Sequence, residues 1–166
     1  CNAVDYMYRQ KIEGCTFIVC NTDRQALERC GVPVKIQLGD EGLGAGTNPT
    51  GGRSAALSSQ DEIDKVLDKD TKMLFFTAGM GGGTGTGAAP VVARIAQEMG
   101  ILTVAVVTKP FLFEREQKMI QAEKGIAELR KYVDSLIVIP NEKLLVGLDK
   151  PLTMLQSFAL SDDILK

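Results

Sequence analysis

Apolar positions along the chain follow two rhythms: short, nearly continuous runs, and longer stretches in which they recur three or four residues apart. The runs at 16–21, 34–38, 73–78, 102–108 and 135–139 are short and rich in Val, Ile, Phe and Thr, which predicts β-strands. Between them the helical rhythm returns. Residues 2–12 read as a weakly amphipathic helix closed by Gly14, and Asn21-Thr-Asp-Arg24 supplies caps for a small helix holding Ala26 and Leu27. Ile63, Val66 and Leu67 give the segment 52–67 one apolar face. Ala88, Val91, Val92, Ile95, Ala96 and Met99 form another, ended by Gly100 as a left-handed cap. Met119, Ala122, Ile126, Leu129 and Val133 lie 3, 4, 3 and 4 residues apart, a long amphipathic helix in spite of Gly125. Pro110 and Pro140 stop the runs before them, 141–147 reads as a short helix, and a last helical pattern runs from about Thr153 to Lys166.

Strands that alternate with helices predict an α/β fold: a three-layer, Rossmann-like parallel sheet with helices on both faces and right-handed crossovers. The runs 102–108 and 135–139 are expected to be buried, the first of them on both sides. In such a sheet, ligands bind beyond the carboxyl ends of the strands.

One strand-to-helix junction stands out there. Gly79-Met-Gly-Gly-Gly-Thr-Gly-Thr-Gly87 holds six of the chain's 17 glycines. Backbone N–H groups at such a junction can approach an anion without Cβ atoms in the way, and the helix dipole favours the negative charge. A mobile linker is the competing reading, and the tight placement between strand and helix argues against it. A second glycine-rich stretch, 39–49, occupies the same kind of position.

Composition narrows the chemistry. The 166 residues suffice for one domain with a real core, and 45% hydrophobic with 24% charged residues is ordinary for a globular protein. There is no histidine, and Cys1, Cys15, Cys20 and Cys30 form no C-x-x-C pair, which leaves zinc fingers and Ser–His–Asp triads without their parts. The cysteines are expected to be buried free thiols. A net charge of −2 offers no general attraction to nucleic acid. With neither a membrane-length apolar run nor a signal-peptide profile, the chain is expected in the cytoplasm, without direct membrane insertion.

Phosphate sites can be compared residue by residue. No Gly-Lys-Ser or Gly-Lys-Thr occurs, so a P-loop is excluded. Gly83-Thr-Gly85-Thr-Gly87-Ala88 satisfies the dinucleotide pattern, but the next strand ends Val107-Thr108-Lys109 without the acid that would hold a ribose. Lys109 leaves an NADP-dependent oxidoreductase only slightly less disfavoured than an NAD-dependent one. Neither 42–49 nor 79–87 contains Lys or Arg. A polyphosphate held there would be neutralised by N–H groups, helix dipoles, the Thr84 and Thr86 hydroxyls and a metal ion, with Mg2+ the natural candidate.

Gly81-Gly-Gly-Thr-Gly-Thr-Gly87, with Thr77-Ala-Gly-Met80 before it and Ala88-Ala-Pro-Val-Val-Ala93 after it, resembles the signature of the tubulin/FtsZ family of GTPases, in its bacterial cell-division branch. Asn21-Thr-Asp23, Gly42-Leu-Gly-Ala-Gly-Thr-Asn-Pro49, Thr108-Lys-Pro-Phe111, Phe113-Glu114 and Val138-Ile-Pro-Asn141 follow in the family's order, so the likeness covers essentially the whole chain. The resemblance implies that GTP and GDP are the ligands. Gly81, Gly82, Gly83, Thr84, Gly85 and Thr86 would wrap the phosphates, and Ala45, Gly46 and Asn48 would close over the γ-phosphate side. Glu114, with Lys118 beside it, would contact the ribose, and Asn141 and Asp162 would read guanine. Two departures stand out: Arg115 replaces a glycine of the family pattern, and Lys118 stands where an arginine would touch the nucleotide.

The same resemblance places a first strand and a first phosphate loop before Cys1, and cuts the family's central helix at the chain's end. No catalytic residue or direct metal ligand is expected in residues 1–166. The activating acids would come in trans from a loop beyond that helix, as GTP is hydrolysed between subunits of a head-to-tail filament. Other division proteins would bind a C-terminal tail, and the assembly would act in septation at mid-cell. A homologue that binds nucleotide without catalysis is the alternative.

Overall fold

The computed structural model describes residues 1–144, 153, 155–157, 159 and 160. After α1 (Asn2–Arg9) come β1 (Ile18–Asn21), α2 (Arg24–Glu28) and β2 (Val34–Gln37). Then α3 (Pro49–Ser58) and α4 (Gln60–Val66) lead to β3 (Met73–Gly79) and α5 (Gly83–Glu98). β4 (Leu102–Lys109), α6 (Glu116–Leu129), β5 (Ser135–Pro140) and α7 (Asn141–Leu144) complete the sequence. β1 pairs with β2, β3 with β4 and β4 with β5, all parallel. Parallel neighbours need crossovers, and the intervening helices supply them.

Helix α5 lies at the centre of the core. Ala88, Val91, Ile95 and Ala96 pack with Ile36, Leu38, Ala56 and Ile63, while Ala89 and Ala93 pack with Ala105, Val107, Ala122, Ile126 and Leu129. A third cluster, Val19, Leu27, Cys30 and Val32, joins the other side of β1 to α1 and α2. Helices therefore pack on both sides of β1, while α5 and α6 cover one face of the β3–β4–β5 sheet.

Where the chain departs from its predicted pattern, a physical cause is visible. α1 stops at Arg9, and Lys11 then takes a positive φ of 55°. The segment 52–67 breaks into two helices at Ser59, whose hydroxyl accepts the Gly39 N–H and donates to the Gln37 carbonyl. That side chain ties the break to the end of β2. Gly100 closes α5 as expected: its φ is +73°, its N–H bonds the Gln97 carbonyl, and the Ile101 N–H bonds that of Ala96.

The expected burial of β4 on both sides, and of β5, is corrected. Thr103, Ala105 and Val107 are buried, but on the opposite face Phe75 is 67% exposed, Ile137 50% and Leu102 45%. Both α5 and α6 pack on one side of these strands. The cysteines are corrected too. Cys30 is buried and Cys20 half-buried, whereas Cys1 and Cys15 are exposed. Burial pushes the Cys20 thiol up to about 11, so it is unreactive at neutral pH. Among the described residues no helix is long and apolar enough to cross a membrane.

Candidate nucleotide site

Strand register assembles the site. Gly79 lies opposite Thr108, Thr108 opposite Ile139, and Lys109 opposite Pro140. The segments that follow β3, β4 and β5 therefore start side by side at the carboxyl edge. The first is shorter than its glycines suggest. α5 begins at Gly83, inside the glycine run, and Gly82 is its N-cap. Gly82, Gly83, Thr84 and Gly85 thus carry the N–H groups that have no intrahelical carbonyl. The Gly83 N–H bonds the Gly46 carbonyl at 2.8 Å, which joins the two glycine loops directly.

Backbone contacts dictate most of these glycines. A Cβ on Gly85 would lie 2.1 Å from the Gly79 carbonyl oxygen, and one on Gly87 2.0 Å from that of Pro49. On the facing helix, a Cβ on Gly52 would lie 2.2 Å from the Gly83 oxygen. α3 and α5 meet main chain to main chain. Gly81 combines a φ of +103° with a Cβ position 2.9 Å from the Lys118 carbonyl. Gly125, an oddity within the α6 pattern, lets that helix approach α5: its Cβ would sit 2.5 Å from Cγ2 of Thr86.

The threonines differ in role. Thr86 is buried, and its hydroxyl accepts the Gly81 N–H at 2.7 Å, bracing the loop from within. The Thr84 hydroxyl lies 2.6 Å from that of Thr22. Thr22 was legible as part of a capping sequence and of the family motif Asn21-Thr-Asp23; Asp23 does cap α2, through Ala26. In the second loop, the Ala45 N–H bonds Thr22 Oγ1 at 2.9 Å. The Asn48 side-chain oxygen accepts from Thr50 and Gly51 and so caps α3, with Pro49 at the first helical position.

Beyond β4, Phe111 is buried under a 3₁₀ turn, Leu112–Glu114. Glu114 accepts the Phe111 N–H through one oxygen, and the other is paired with Lys118 Nζ at 3.1 Å. The Glu142 carboxylate accepts the Leu112 N–H, which draws the start of α7 onto the same turn. Asn141, at the end of β5, is buried. The structure thus brings together Gly81–Thr86, Ala45, Gly46, Asn48 and the backbone of Lys118, and sets the Glu114 turn beside α7. Asp162 lies outside the described residues. Lys109 pairs with Glu123 at 2.8 Å, holding that carboxyl below its usual range, so it is not a free cation for an NADP phosphate. Among the described residues there is no cluster of three or more His, Cys, Asp or Glu that could hold a metal ion.

Arg115 has φ 90° and ψ 141°, a conformation suited to glycine, and it is the N-cap of α6 without a side-chain cap bond. Relief of that strain outweighs the extra entropy of an unfolded glycine. Arg115→Gly is expected to stabilise the chain by about 1 kcal/mol. Urea denaturation checks this, and a variant less stable than the parent contradicts the strain.

The family model described as "Tubulin/FtsZ family, GTPase domain" matches residues 1–148. The fold agrees with that class of GTPase domain. The chain belongs to the tubulin/FtsZ family. It is 53% identical over 168 residues to the cell division protein FtsZ of Buchnera aphidicola subsp. Baizongia pistaciae, covering 99% of this chain and 43% of the relative. It is 55% identical over 167 residues to that of Pseudomonas putida, covering 99% of this chain and 42% of the relative. Among solved structures, "FtsZ dimer, empty (M. jannaschii)" superposes with a TM-score of 0.93 at 43% identity, covering 99% of this chain and 48% of that one. CetZ2 of Haloferax volcanii, at 22% identity over 99% of this chain and 51% of that one, has the same fold with a TM-score of 0.83. The chain spans less than half the length of the two curated relatives.

Proposed function

We propose that this chain is the guanine-nucleotide-binding part of a filament-forming GTPase of bacterial cell division. The observation that carries the reading is the Gly83–Gly46 bond: it sets a second glycine loop against the N-terminus of α5 in a chain of a GTPase-domain family. First-turn N–H groups at Gly82, Thr84 and Gly85, together with the helix dipole, suit phosphate oxygens. Ala45, Gly46 and Asn48 border the terminal phosphate, Glu114 and Lys118 the ribose, and Asn141 and Asp162 the guanine. Neither loop carries Lys or Arg, so a Mg2+ ion that arrives with the nucleotide fits as the missing countercharge, held by phosphate oxygens and water. No residue among those described is assigned to it as a chelating ligand.

Hydrolysis then takes place between subunits, with activating acids supplied in trans from beyond residue 166. Kinship with a protein solved as an FtsZ dimer supports the self-association. Among the described residues β1 bonds only β2, and β3 only β4, so each keeps an unpaired edge where the family's preceding strand fits. In the cell, the whole protein acts in the cytoplasm at the division site, and a C-terminal tail recruits other division proteins.

A competition titration tests the nucleotide reading. A fluorescent GTP analogue bound to the 166-residue chain with Mg2+ is expected to be displaced by GTP and GDP, and not by ATP or NADP. Equal displacement by ATP or NADP sinks it.

A further inference from the structure

We propose that Thr22 is a positioning residue that couples the two phosphate loops through its single hydroxyl. The inference rests on the nucleotide reading above, with the second loop at the terminal phosphate. Thr22 follows β1 and is only 5% exposed, so water competes little for its oxygen. That oxygen accepts the Ala45 N–H at 2.9 Å and lies 2.6 Å from Thr84 Oγ1. Its main-chain carbonyl also accepts the Gly44 N–H at 3.0 Å. One residue therefore grips the second loop at two adjacent amides and touches the first turn of α5.

Hydrogen-bond direction gives this contact a consequence. The amide at Ala45 can only donate, so Thr22 Oγ1 must accept there, while the Thr22–Thr84 bond can run either way. A phosphate oxygen at Thr84 is an acceptor and takes the Thr84 proton. Thr22 must then donate its own proton to Thr84. The chain Ala45 N–H to Thr22, Thr22 to Thr84, and Thr84 to phosphate then has one polarity, each bond strengthening the next. Without the anion, Thr84 is free to donate to Thr22 instead. The bound phosphate thus sets the direction of a bond that also holds the second loop. Thr22 itself need not touch the ligand.

Thr22→Val keeps the shape and removes the hydroxyl; Thr22→Ser keeps the hydroxyl. Two readouts on the 166-residue chain decide the matter. In amide exchange without ligand, Thr22→Val is expected to speed exchange at Ala45 about tenfold or more, while Thr22→Ser stays near the parent. In titrations with methylanthraniloyl-GTP and methylanthraniloyl-GDP plus Mg2+, Thr22→Val is expected to weaken the triphosphate about tenfold, and the diphosphate at most about threefold. Thr22→Ser is expected to restore both. Equal losses for the two nucleotides, or failure of Ser to restore binding, overturn the coupling and leave a packing role. If the parent chain binds neither nucleotide, the guanine-nucleotide reading falls and takes the phosphate step with it. The exchange at Ala45 then still decides whether Thr22 holds the loop.

Discussion

Gly87→Ala is expected to cost the chain about 3 kcal/mol or more, enough to unfold a marginal domain. The added methyl would lie 2.0 Å from the Pro49 carbonyl oxygen and 2.7 Å from the Arg53 nitrogen, both main-chain atoms that cannot swing aside. Relief requires α3 to move off α5, which opens the packing of Ala56, Ala88 and Val91 in the same core. Gly100→Ala is the control: its φ of +73° is strained, but nothing lies within 4 Å of the new Cβ, so about 1 kcal/mol is expected. Urea denaturation of both variants measures the difference. Equal losses would mean that α3 and α5 are not in close backbone contact.

Phe111→Ala is expected to destabilise by about 3–5 kcal/mol, and Phe113→Ala by much less. The two rings stack with centroids 4.9 Å apart and planes within 9°, yet Phe111 is 1% exposed and Phe113 46%. Only the first leaves a cavity sealed from water. Phe111 also donates its N–H to Glu114, so loss of its packing loosens the turn that presents that carboxylate. Phe111→Leu is expected to recover more than half of the stability. Calorimetric unfolding of the three variants checks the ranking, and a Phe113→Ala loss as large as that of Phe111→Ala would contradict it.

Much of this molecule is legible without its structure. Every strand falls within a residue or two of its apolar run, because strand and helix rhythms are properties of neighbouring residues. The Gly100 cap was legible for the same reason: positive φ is a local demand. At the candidate site, the glycine run announced a strand-to-helix junction. It did not announce where the helix begins, since glycine weakens the helical signal over the very residues that form the first turn of α5. Asn48 was read for phosphate, and its side chain caps α3. Thr22 was read within a cap, and its hydroxyl reaches Thr84, 62 positions away.

The sequence by itself determined the alternation of strands and helices, the α/β class, the placement of two glycine loops at the carboxyl edge, and kinship with the tubulin/FtsZ family. The first three follow from spacing along the chain, and the kinship from the resemblance of its motifs. Only the tertiary structure decided that Gly52, Gly83 and Gly87 are dictated by backbone meeting backbone, and that one face of β3, β4 and β5 stays partly open. It alone set Thr22 between the loops. Such features are contacts between residues far apart in sequence, and their distances are set by how helices pack on the sheet, which no local rhythm encodes.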